Sequence, residues 1–286
     1  MTNRYAIDKS IVVNDLRLHY RDWGGRGWPI LLLHGLSSTG HIWDLVAPLL
    51  VEEGRVIALD LRGHGLSDKP EGEYSFEQVG GDVLGVIRAL GFTRPLLVGH
   101  DWGANVALWL GAHHGDEIGG VIMIDGGIVD LGILSWEDTL EQHRPPRING
   151  MPVEAFKEQV LGTMPQGIIT PAVEAAIMAS MEIDAENGVH PRLPRTVHLR
   201  ILRAMWEQHL GDLYEKIICP VLIIPTRSRG SDPPTQIARK ELCVSQAEDA
   251  IADVEVVWLD DSIHDAPLQH PHRLAEEIRR FIRERL

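Results

Sequence analysis

One aspartate, one histidine and two further aspartates are spaced along this sequence as a nucleophile, its base and candidate orienting acids would be. Asp101 lies in Gly99-His100-Asp101-Trp102-Gly103, after the apolar run 95–98 and before the helix-like stretch 104–110. A strand, a glycine-flanked turn and a helix make an elbow of the form G-x-nucleophile-x-G. Its glycines let the backbone turn tightly enough to hold the central side chain strained and exposed at the strand tip. Serine is the usual occupant of that position. A carboxylate there can attack an electrophilic sp3 carbon and give an alkyl ester, which water then cuts. Epoxides and haloalkanes are expected ahead of ordinary esters. Attack on a carbonyl would give an anhydride, and an ionised carboxylate leaves a base no proton to remove.

Such a nucleophile needs a base, a group that orients the base, and donors for an oxyanion. His264, in Asp260-Asp-Ser-Ile-His-Asp-Ala-Pro267, follows the last β-like run and precedes the final helix, where the base falls in the order nucleophile, acid, histidine. The orienting acid has two candidates. Asp232 lies in the loop after Val221-Leu-Ile-Ile-Pro225 without a compact G-x-x-D, and Asp125 stands at the end of Val121-Ile-Met-Ile, before Gly126-Gly127. The turn His34-Gly35-Leu36 can aim the Leu36 backbone N–H at the same point as that of Trp102, making an oxyanion hole. The Trp102 indole offers a further N–H to a leaving halide or a bound oxygen. His34, Trp136, His143 and Trp206 are the other candidate substrate-lining residues, of an apolar pocket. Away from the elbow, such histidines and tryptophans would read as packing or surface residues.

The elements that must position these groups alternate. Strand-like runs at 11–13 and 16–20 form an antiparallel hairpin edge, followed by runs at 30–33, 56–59, 96–98, 121–124, 221–224 and 254–258. Helices are expected at 41–50, at 75–90 with Ser75 as N-cap, at 102–113 and at 271–285. That alternation predicts an α/β fold, a mostly parallel twisted sheet flanked by helices. Between Asp130 and Gly211 strand signals vanish, and seven prolines punctuate helix-like pieces at 153–161, 172–181 and 196–209. We read a core of residues 1–130 and 212–286 with a helical cap, 131–211, inserted above the carboxyl ends of the strands. The Gly24-Gly25-Arg26-Gly27 cluster reads as a hairpin turn. The loop Asp60–Pro70 organises hydrogen bonding at the strand edge.

With 286 residues, 44% of them hydrophobic and 24% charged, the chain can bury a large core. A net charge of −14 without a basic run argues against nucleic acid. The first ten residues lack a leader-like apolar stretch, and no run approaches the roughly 20 apolar residues of a membrane span, so a cytoplasmic location with no membrane partner is expected. Cys219 and Cys243 are too few for a disulfide framework. His113-His114 and His270-x-His272 lack metal-ligand spacing, and the chemistry requires no cofactor and no metal. The expected partner is a small apolar substrate. A homodimer is the one assembly entertained, without residues that specify it.

Through His34-Gly35, the Asp60–Pro70 loop, the elbow and His264, the chain resembles the α/β-hydrolase superfamily over essentially its whole length. Gly-His-Asp-Trp-Gly-Ala resembles the elbow of epoxide hydrolases and, nearly as well, of haloalkane dehalogenases. The resemblance implies two steps: Asp101 forms an alkyl-enzyme ester, and His264, steadied by Asp125 or Asp232, activates the water that hydrolyses it. Two departures bear on substrate. Ser37 stands where epoxide hydrolases carry the proline of H-G-x-P, and none of the four tyrosines (Tyr5, Tyr20, Tyr74, Tyr214) falls within 130–211, where a ring-opening acid is expected. A halide needs only N–H donors, which favours dehalogenation, yet Leu36 is not the asparagine that dehalogenases place after His-Gly, so Trp136 or Trp206 would have to serve. Epoxide hydrolysis to a diol is the first expectation and dehalogenation the second. The further alternatives are an ester or lactone hydrolase of serine lineage bearing aspartate, and a ligand-binding member without turnover.

Overall fold

A computed structural model describes residues 5–286 except 166, 229 and 231; the start of the stretch inspected for a leader lies outside them. Eight strands form one sheet: β1 (Ile7–Val13), β2 (Leu16–Gly24), β3 (Trp28–Leu33), β4 (Gly54–Leu59), β5 (Leu96–His100), β6 (Gly120–Ile124), β7 (Val221–Ile224) and β8 (Val254–Val256), in the order β1-β2-β4-β3-β5-β6-β7-β8. The hairpin β1–β2 and the β2–β4 pair are antiparallel, and every later pair is parallel.

Side chains alternate between the faces of a strand, so a strand buried on both sides must be apolar at every position. The central strands obey this. Leu31, Leu33, Ile57, Leu59 and Leu97 enter one core, and Ile30, Leu32, Val56, Ala58 and Leu96 enter the other. Over the first core lie α1 (Phe76–Ala89), whose N-cap Ser75 accepts from the Gln78 N–H, and α2 (Trp102–His113). Cys219 and Cys243 are buried there as free thiols. The second core is closed by the last helix, through Leu274, Ala275, Ile278 and Phe281.

Between β6 and β7 the chain forms α3 (Trp136–His143), α4 (Val153–Leu161), α5 (Pro171–Met178) and α6 (Arg195–Glu207). It also forms three short antiparallel strands, Met151–Pro152, Gly188–Pro191 and Met181–Ile183, which overturns the expectation of helices alone. Strands of two to four residues are too short to show a period of two. Their pairing is set by a turn in which Asp184 Oδ1 accepts the N–H groups of Glu186 and Gly188 and Asn187 takes φ 65°. This segment has its own small core of Ile148, Val153, Phe156 and Val189.

Two other expectations are corrected, and one helix was not read. The helix read at 41–50 is two 3-10 turns, Gly40–Trp43 and Ala47–Leu49; Pro48 lacks the N–H that a continuous helix needs there. The glycine cluster after β2 is no hairpin turn, because β2 pairs with β4 and β3 lies on the far side of β4. A helix unread in the sequence, α7 (Pro234–Ala250), packs on the first core through Cys243, Val244 and Ala247. Its apolar stripe is narrow, so the 3.6-residue period is faint. The last helix, α8, runs Pro271–Arg285. Among the described residues, no helix is long and apolar enough to cross a membrane.

Candidate active site

Parallel strands deliver their carboxyl ends to one edge, and the residues that leave β3, β5 and β6 meet there. Asp101 follows β5 and caps α2 with φ 50° and ψ −122°, a conformation that costs a non-glycine residue energy and turns its side chain out of the sheet. The flanking glycines are required by contact. A Cβ on Gly99 would lie 2.3 Å from the Gly103 carbonyl oxygen, and one on Gly103 would lie 2.3 Å from that of Leu33.

The Asp101 carboxylate has two distinct oxygens. Oδ2 accepts the Leu36 backbone N–H at 2.9 Å, while Oδ1 faces His264 Nε2 at 3.7 Å. His34 sets the Leu36 turn. Its Nε2 accepts from the Leu61 N–H at 3.0 Å, so its proton sits on Nδ1 and is donated to the Gly35 carbonyl at 2.8 Å. Burial lowers its pKa and favours this neutral tautomer.

His264 Nδ1 bonds Asp125 Oδ2 at 2.6 Å. The other oxygen, Oδ1, accepts the Thr226 N–H at 2.9 Å and the Lys240 ammonium at 2.8 Å. Burial would raise the Asp125 pKa, but the His264 bond and charge, with Lys240, hold it well below the ordinary carboxylate range. The walls around His264 strip solvent and disfavour its charge, although 52% of its side-chain surface still opens to the cavity. The Asp125 hydrogen bond and the charges of Asp101, Asp125 and Asp265 outweigh this, pushing its pKa up to about 10. Asp232 does not approach the histidine: its Oδ2 accepts the Ser228 N–H at 2.7 Å. The carboxylate that meets His264 comes from the strand tip because β6 and β7 pair directly, bringing Asp125 beside Thr226; Asp232 bonds back to Ser228 instead.

Three partners were not legible beforehand. Lys240 comes from the unread helix α7. His100, the residue before Asp101, bonds the His264 carbonyl through Nε2 at 2.9 Å, with ring centroids 4.8 Å apart, and fixes that loop to the elbow. Asn105, on α2, accepts the Gly127 N–H and donates to Gln208 Oε1, tying the elbow helix to the β6 loop and the end of α6. An exposed-looking polar residue on an apolar helix was its only signal.

A cavity of about 870 Å³ opens over Asp101 and His264. Leu36, Ile128, Val129, Leu134, Leu202 and Met205 give it an apolar side, and Gln142, His143, His198, Gln236, Arg239 and Lys240 give it a polar one, so the expected apolar pocket is two-sided. Of the expected lining residues only His143 contributes. The Trp102 side chain is buried with its ring face stacked on His64 at 5.1 Å, and it is not among the residues that line the cavity. The Trp206 indole N–H is spent on the Leu134 carbonyl, Trp136 packs edge-on against Trp206, and His34 is buried below the turn. Tyr214 donates to the Gly127 carbonyl. Among the described residues no tyrosine lines the cavity. The Asp60 carboxylate accepts from the Gly40 and Leu66 N–H groups and bonds His19, which fixes the strand-edge loops as expected.

Comparison with known proteins identifies relatives of this chain. A stretch of 107 residues is 41% identical to a fluoroacetate dehalogenase of Burkholderia sp., covering 36% of this chain and 35% of that one. Another, of 123 residues, is 35% identical to a soluble epoxide hydrolase of Corynebacterium sp., covering 42% and 43%. The matched stretches thus span well under half of these relatives' lengths. Among solved structures, E-2-(acetamidomethylene)succinate hydrolase superposes with a TM-score of 0.77 at 23% identity, covering 98% of this chain and 100% of that one, a likeness of fold. Residues 30–277 match the alpha/beta hydrolase family, and with the sheet and the hydrolase relatives in agreement, the chain belongs to that family of hydrolases.

Proposed function

We propose that this hydrolase acts on an electrophilic sp3 carbon through a covalent ester of Asp101, with an epoxide as its first substrate class. The observation that carries the reading is the division of labour between the two Asp101 oxygens. Oδ2 rests on the Leu36 N–H, and Oδ1 is free to attack. In the first step Oδ1 bonds to a ring carbon, the ring C–O bond breaks, and its electron pair leaves on oxygen. In the second, His264 takes a proton from water, the water oxygen bonds to Cγ of the ester, and the oxyanion gathers on the atom bonded to Leu36 N–H. Collapse breaks the Cγ–O bond to the substrate carbon, His264 returns its proton to the departing alkoxide, and the proton left on the Asp101 carboxyl passes to the oxygen freed in the first step, which restores the carboxylate. The sum is epoxide plus water to diol.

In-line attack sends the leaving atom away from Asp101, towards the segment 131–211, which on this reading is the lid. His143 stands there. The surrounding walls lower its pKa, with the Asp101 charge opposing, so it meets the leaving atom as a neutral N–H donor. That donor suits a halide as well as an alkoxide, and the lack of a tyrosine among the described lining residues favours dehalogenation as the second reading.

The test is the intact mass of His264→Ala after incubation with a pool of epoxides and haloalkanes. Without the base, the ester should persist. A gain equal to a whole epoxide establishes the first class, and a gain equal to an alkyl halide less hydrogen halide establishes the second. A folded variant that gains no mass with any member overturns carboxylate nucleophilic catalysis on both.

A further inference from the structure

The charges that line the cavity do not balance. Its lining contains two carboxylates, Asp101 and Asp125. Lys240 is spent on Asp125 at 2.8 Å, and His264 lies between both carboxylates, 2.6 Å from Asp125 and 3.7 Å from Asp101. Arg239, the residue before Lys240 on α7, also lines the cavity, and its Nη2 is buried without a hydrogen-bond partner. It forms no ion pair with any described residue. A guanidinium is always charged, and leaving one of its nitrogens both shielded from water and unpaired is costly unless a partner arrives. The polar wall around it, Gln142, His143 and Gln236, supplies donors and no competing carboxylate.

We propose that Arg239 holds the carboxylate of the substrate, so that the cavity selects small electrophiles with an apolar body and an anionic end. This rests on the carboxylate-nucleophile reading above and names its substrate class: epoxy acids or halo acids ahead of neutral epoxides and haloalkanes. The guanidinium fork matches a carboxylate with two parallel N–H···O bonds, which fixes the orientation of a small molecule as well as its affinity. The apolar side, including Leu36, Ile128 and Met205, takes the carbon chain. The anionic end is thereby drawn to the α7 wall, and the reacting carbon is left to Asp101.

Binding tests this without turnover. Butyrate and butyramide have the same shape and differ in charge, and each is titrated calorimetrically into the full-length protein and into Arg239→Gln and Arg239→Lys. Butyrate should bind wild type more tightly than butyramide and lose roughly ten- to a hundredfold in Arg239→Gln. Arg239→Lys, which keeps the charge and loses the fork, should fall between the two. Equal binding of the two probes to wild type overturns the proposal, as does butyrate affinity unchanged in Arg239→Gln. Should Arg239→Gln fail to fold, unchanged affinity in Arg239→Lys overturns it. The mass experiment on His264→Ala keeps the two ideas apart. Adducts without selective butyrate binding defeat the Arg239 assignment alone, and selective binding without adducts from epoxy acids or halo acids defeats the nucleophile reading alone.

Discussion

Lys240 donates to Asp125 Oδ1 at 2.8 Å and leaves Oδ2 to His264. The lysine also donates to the Thr226 carbonyl at 3.0 Å, so one ammonium fixes both the carboxylate and the strand extension beside it. Lys240→Met should therefore destabilise the protein by about 1–3 kcal/mol, the range for a hydrogen bond lost to a buried charged group. The sign of its pH dependence follows from Asp125. A carboxylate whose pKa is depressed by folding contributes stability above its unfolded value, and that stability is lost as pH falls through the folded value. Removing the lysine raises the folded value, so acid unfolding should begin at higher pH in Lys240→Met. Denaturant melts at a series of pH values measure both effects, and an unchanged acid limb would remove Lys240 from the pair.

Asp125 and Asp232 can be separated by the same conservative change. Asp125→Asn keeps an oxygen for the Thr226 N–H but removes the charge that favours protonated His264, and it lets the imidazole take the wrong tautomer. Turnover should fall roughly 10³–10⁴-fold, as when the orienting aspartate of a triad is neutralised. Asp232→Asn, whose carboxylate bonds the Ser228 N–H, should keep turnover within about twofold, inside the small effects usual for substitutions away from a site. Steady-state rates on whichever substrate gives the adduct decide the matter; a large loss in the Asp232 variant would return the acid to the loop.

Why the sequence left that choice open is a matter of range. Asp101 and His264 were legible because the elbow is a local motif and the histidine occupies a fixed place in chain order. The carboxylate that meets His264 is decided by which strand tips lie side by side, a property of β6 pairing with β7 across about a hundred residues, and no local pattern records it. Lys240 was missed with its helix, because α7 shows only a thin apolar stripe. Trp102 misled in the opposite way. It stands beside Asp101, but its ring face stacks on His64 and it does not line the cavity. The short strands 151–152, 181–183 and 188–191 were invisible for want of length.

The elbow is held from behind by the β6 loop, and this gives a steric prediction. A Cβ on Gly126 would lie 2.0 Å from the Asp101 carbonyl oxygen and 2.6 Å from its Cα. Both are backbone atoms of a residue already at φ 50°, so neither can yield by a rotamer change. Gly126→Ala should cost about 3 kcal/mol or more, the upper end for overpacking, and should displace the nucleophile. A urea melt reads the first consequence and the adduct mass in a Gly126→Ala, His264→Ala background reads the second. Wild-type stability together with normal adduct formation would show that the loop does not brace the elbow.

His264 carries a pKa pushed up to about 10, with the Asp101 charge among the causes, so the resting histidine is cationic at neutral pH. A cationic imidazole is no base, and on the proposed mechanism the reaction itself supplies the remedy. Once Oδ1 is alkylated, Asp101 is a neutral ester; its charge no longer supports the imidazolium, and the pKa must fall. The base is thus deprotonated most readily in the covalent intermediate, when water is to be activated. Two outcomes follow. In the resting protein, the His264 ring proton followed by NMR should titrate near 10 and should move down in Asp101→Asn, which removes the charge while keeping the shape. The rate of ester breakdown, followed in single turnovers, should depend on a lower pKa than the resting value. Stability has the matching sign. A histidine raised by folding stabilises the protein fully below its unfolded value near 6.5, and this contribution is lost as pH rises through the folded value. Asp101→Asn should accordingly shrink the alkaline loss of stability. A His264 that titrates near 6.5 in both proteins would show that Asp101 and His264 are not electrostatically coupled, and the timing argument would fall with it.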